Sequence, residues 1–65
     1  MLIRNKKADV KAAQGIALDV MKEWEAEGKT WTAREVADEV GRRESYYSVY
    51  HGEISKFVHD HPLSL

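Results

Sequence analysis

The sequence has no cysteine, so neither a disulfide framework nor a thiolate zinc site can hold it together, and nothing in it asks for an oxidising compartment. It has one proline, Pro62, which falls where the last helical pattern closes. No window approaches the roughly 18 apolar residues of a membrane span. The basic start, Met-Leu-Ile-Arg-Asn-Lys-Lys, is not followed by an apolar stretch of signal-peptide length, so the expected location is the cytoplasm. Neither a Gly-rich phosphate loop nor a Ser/His/Asp or Cys/His arrangement is present. A chain of 65 residues rarely encloses a deep, water-excluding pocket. A binding protein without a cofactor is therefore expected rather than an enzyme. A strong charge of one sign is also missing: ten Lys and Arg against eleven Asp and Glu give a net charge of −1.

What is there is enough for a small core. With 43% hydrophobic and 32% charged residues the chain is not of the disordered kind, and its length allows one domain. The charges are unevenly placed. Arg4, Lys6, Lys7 and Lys11 stand against Asp9 alone, whereas Asp19, Glu23, Glu25 and Glu27 stand against Lys22. Residues 1–8 thus read as a basic arm, and the helix after it carries an acidic end.

Gly28, Gly41, Gly52 and Pro62 punctuate three helical segments. The first is expected over 9–27, with Asp9 as N-cap, a stripe of Val10, Ala13, Ala17, Val20, Met21 and Trp24, and Gly28 as its stop. Lys29-Thr30-Trp31 is a short extended link, at most a vestigial strand, with Trp31 turned to the core. Thr32-Ala33-Arg34-Glu35 is a capping box that starts a second helix over 33–40, with Val36, Ala37 and Val40 inward and Gly41 in a left-handed turn. The third runs over 44–60, with Tyr46, Tyr47, Tyr50, Ile54, Phe57 and Val58 on one side. A helix-interior Gly costs about 1 kcal/mol relative to Ala, and the alternative to a continuous helix is a break at His51-Gly52, giving four short helices. The expected fold class is all-α.

Thr32-Ala33-Arg34-Glu35-Val36-Ala37-Asp38-Glu39-Val40-Gly41 resembles the first helix and turn of the helix-turn-helix superfamily of DNA-binding domains. Val36 and Val40 are the hydrophobic positions, Ala37 stands at the tight helix crossing and Gly41 in the turn. With the following helix the resemblance spans Thr32 to Val58. The chain departs from the pattern at Arg42, where a small apolar residue is usual, which implies a longer turn. Trp31 is similar to the first strand of winged helices, but too few residues follow His59 for a wing.

The resemblance implies a small regulator of the phage, plasmid or bacterial type, binding double-stranded DNA as a homodimer so that two recognition helices meet two half-sites. On this reading Arg42 and Arg43 project into solvent to clamp phosphates or read guanine edges, and Ser45, Ser48, His51 and Ser55 line the groove. Lys6 and Lys7 would add phosphate contacts from the arm. The alternative is a protein-interaction module that uses the acidic first helix or the small-residue face of Ser48, Gly52 and Ser55. His51, His59 and His61 do not share a helical face at the i, i+4 spacing that a metal site needs, so no metal is expected.

Overall fold

The computed structural model describes residues 5–61. Among these the chain is all-α: α1 (Lys6–Ala26), α2 (Ala33–Arg43), a 3-10 segment (Ser45–Tyr50) and α3 (His51–Asp60), with no strand at Lys29–Trp31. None of these helices is long and apolar enough to cross a membrane. Residues 1–4, half of the expected arm, and Pro62 lie outside the described residues.

α1 starts earlier than the apolar pattern indicates. Asn5 is its N-cap, and its side-chain oxygen accepts the Lys7 amide at 2.9 Å and the Ala8 amide at 3.4 Å. Lys6, Lys7 and Ala8 are exposed and show no apolar periodicity, which is why the boundary falls at Asp9 on pattern alone. Lys6 and Lys7 are therefore first-turn residues of a helix rather than a free arm. At the other end Gly28 adopts φ 75°, the Gly28 amide donates to the Glu25 carbonyl at 3.0 Å and the Lys29 amide to the Trp24 carbonyl at 2.8 Å. These two bonds are the Schellman arrangement that a left-handed glycine permits.

The capping box of α2 forms as read: Thr32 Oγ1 accepts the Glu35 amide at 3.2 Å, and Glu35 Oε1 accepts the Thr32 amide at 3.0 Å. Gly41 does not stop this helix. It lies inside α2, and Gly28 is the one described residue at positive φ. What Gly41 supplies is space, because a Cβ there would lie 3.3 Å from the Ser48 Cβ. The smallest residue thus lets the 3-10 segment cross close to α2.

The third helical stretch is split rather than continuous. Ser45-Tyr46-Tyr47-Ser48-Val49-Tyr50 contains only Ser, β-branched and aromatic residues, all weak helix formers, and Glu44 gives it no side-chain cap. Ser48 Oγ also donates to the Ser45 carbonyl at 2.8 Å, a local bond that competes with the helical ladder. The segment winds at about three residues per turn, so residues three apart eclipse. Tyr47 and Tyr50 fall on one row and pack against the core, whereas Tyr46 and Val49 fall on another and are 40% and 70% exposed. A 3.6-residue repeat would instead turn Tyr46 inward.

Ala13, Ala17, Val20 and Met21 of α1, Val36, Ala37 and Val40 of α2, and Ile54 and Val58 of α3 form the buried core. The tryptophans close its edge rather than its centre. Trp24 and Trp31 are partly buried, with ring centroids 6.5 Å apart, and the Lys29 ammonium sits 5.5 Å from the Trp24 ring.

Candidate nucleic-acid interface

The residues singled out on the sequence come from α1, α2 and the stretch after it, and two phenols bring these parts together. Tyr46 and Tyr50 both direct their hydroxyls at Asp9 Oδ2, at 3.1 and 3.4 Å. Asp9 is in the first turn of α1. The 3-10 segment is thereby drawn against the end of α1 that carries Lys6 and Lys7.

The adjacent arginines part company. Arg42 is 69% exposed and meets Glu39 Oε1 at 3.3 Å through one nitrogen. Exposed pairs of this kind contribute about 0–1 kcal/mol, so a competing phosphate can displace the carboxylate. Arg43 points back across the fold instead of projecting into solvent. Its two terminal nitrogens donate to Glu23 Oε2 and Oε1 at 2.8 and 2.9 Å, and its Nε donates to Glu39 Oε2 at 3.0 Å. This fork-on-fork contact ties the end of α2 to α1. It raises the Arg43 pKa further above its ordinary value, the bond to Glu23 being the main cause. The same bonds to Arg43 hold the Glu23 and Glu39 carboxyls below the usual carboxylate range. The long turn implied by Arg42 is absent too: a single extended residue, Glu44, separates α2 from the 3-10 segment.

Ser45 and Ser48 are exposed beside Arg42, although the Ser48 hydroxyl is engaged with Ser45 and its Cβ abuts Gly41. His51 meets Asp38 Oδ1 through Nε2 at 2.7 Å and fastens the start of α3 to α2. Ser55 is partly buried one turn further along α3. Lys6 pairs with Glu53 at 3.4 Å but stays 72% exposed, and Lys7 is exposed. Lys6, Lys7, Arg42, Ser45 and Ser48 are thus outward groups, whereas Arg43 and His51 serve interhelical pairing.

Sequence reasoning passed over Val49 and placed Tyr46 in the core. The signal that finds them is the run of weak helix formers, which makes a three-residue repeat the better template for 45–50. A shallow groove elsewhere, between α1 and α3, is floored by Val10 and Phe57 and rimmed by Glu53, Lys56 and Asp60. Among the described residues no group of three or more His, Cys, Asp or Glu is placed to hold a metal ion. No protein-family model, curated protein or solved structure matches the chain.

Proposed function

We propose that the chain binds double-stranded DNA through the surface made by the end of α2, the 3-10 segment and the first turn of α1. The observation that carries this reading is the convergence of Tyr46 and Tyr50 on Asp9. It sets the basic first turn of α1 beside the segment that follows the capped helix. Arg42, Lys7 and Lys6 supply phosphate contacts, Ser45 adds a hydroxyl, and Arg43 is a positioning residue that fixes the end of α2 against α1. Close approach at Gly41 and the burial of Ala37 support the helix-turn-helix packing, with Glu44 as the turn. The surface is nearly neutral overall, so the affinity should be modest and strongly dependent on salt.

The test is a titration of random duplex DNA at several salt concentrations. Arg42→Ala should weaken binding and lower the salt slope by about one unit, because one phosphate contact is lost. Its melting temperature should stay close to that of the parent. An Arg42→Ala variant that binds like the parent at every salt concentration contradicts the assignment. A second reading, a surface for a protein partner, is favoured by the exposed Val49 and Tyr46, apolar groups that phosphate does not need. Absence of DNA binding even at low salt would make it the better one.

A further inference from the structure

The outer side of α1 breaks two local rules of helix composition. Gly15 stands in the middle of this 21-residue helix, is exposed, and has nothing within 4 Å of where a Cβ would be. No contact within the fold needs a glycine there, and glycine is the weakest helix former after proline. The charges also run mostly against the helix dipole: Lys6 and Lys7 outnumber Asp9 in the first turn, the last turn has no base, and Glu23 and Glu25 lie near that end. The exposed positions at helical spacing around Gly15 combine the small Ala8 and Ala12 with the charged Lys7, Lys11, Asp19, Lys22 and Glu23.

We infer that the outer face of α1 binds a second copy of this chain, antiparallel, crossing at Gly15. Charge complementarity selects the occupant. Lys11 lies four residues before Gly15 and Asp19 four residues after it, both exposed and on that side. A two-fold axis at Gly15 therefore sets Lys11 of each copy against Asp19 of the other, and the same symmetry makes the contact twice. The basic beginning of each α1 then lies along the acidic end of its partner, and each helix dipole meets an opposed one. Lys22 is the one base in the acidic half and faces the small Ala8 across the axis. The absent Cβ of Gly15 lets the two backbones approach where the helices cross. A helix of this length spans about 30 Å, so the interface is at the small end of the range and the association weak.

Sedimentation equilibrium up to about 1 mM protein tests this, since a weak dimer has a dissociation constant in the micromolar to millimolar range. The parent should show a reversible monomer–dimer equilibrium. Gly15→Gln should stay monomeric under the same conditions with a melting temperature, read at dilute concentration, equal to or above the parent's. Lys11→Glu and Asp19→Lys should each weaken association roughly tenfold or more, because each places like charges together twice. Mixed in equal amounts they should recover it, since the mixed pair restores both attractions. A parent that is monomeric throughout, a Gly15→Gln variant that dimerises like the parent, or a mixture no better than its components overturns the inference. None of these results bears on Arg42 and DNA, which fails or holds by its own titration.

Discussion

The joint between α1 and α2, residues 27–32, is closed by neighbours in sequence: Gly28 in the left-handed region, two backbone bonds across it, and a reciprocal Thr32–Glu35 cap. The joint between α2 and α3, residues 44–50, has no side-chain cap. It is held by partners far away in the chain: Asp9 on two tyrosines, and Arg43 on Glu23 just ahead of it. One joint is specified locally and the other only once the fold exists. A segment with little intrinsic preference is easier to reshape, and the groups proposed to meet a partner gather at this second joint.

That contrast predicts where damage is greatest. Tyr50→Ala removes a partly buried ring and one of the two phenols on Asp9, and should cost about 2–4 kcal/mol, or roughly 10–20 °C in a domain of this size. Thermal melts decide it, and an unchanged midpoint would mean that the second joint does not depend on tertiary packing. Gly28→Val forces a β-branched residue to φ 75° and should cost about 1–3 kcal/mol. Thr32→Ala should cost about 1 kcal/mol through the lost cap. Urea midpoints would rank the two, and a milder Gly28→Val would remove the backbone argument for the first joint.

The smallest effect should come from acid. Glu23 and Glu39 have carboxyl pKa values lowered below 4.5 by Arg43, which remains charged throughout. Groups with depressed folded-state pKa contribute stability that is present above the unfolded value and lost as pH falls through the folded one. The clamp is therefore intact at neutral pH and weakens below about pH 4.5. Arg43→Met should lose less stability than the parent between neutral pH and about pH 3, and equal losses would show that the clamp does not couple to folding.

The same contrast explains what the sequence made legible. Gly28 and the Thr32–Glu35 box could be read because their partners lie within a few residues, and the α1 and α2 core positions because their apolar spacing is regular. Gly41 was readable as important but not for the right reason. A glycine serves both positive φ and close approach, and only the position of Ser48 distinguishes them. Arg43 looked like a twin of Arg42 because its partner Glu23 is 20 residues away. Asn5 was hidden by three helical residues that touch no core, and the 3-10 segment by the assumption of a 3.6-residue repeat.

Amide hydrogen exchange with and without duplex DNA at low salt tests the central claim most directly. In the free chain, amides of Ser45–Tyr50 should exchange faster than those of the capped start of α2, and DNA should slow exchange from Arg42 to Val49 and in the first turn of α1. Protection elsewhere with no change over Arg42–Val49, or none at any DNA concentration, would contradict the account.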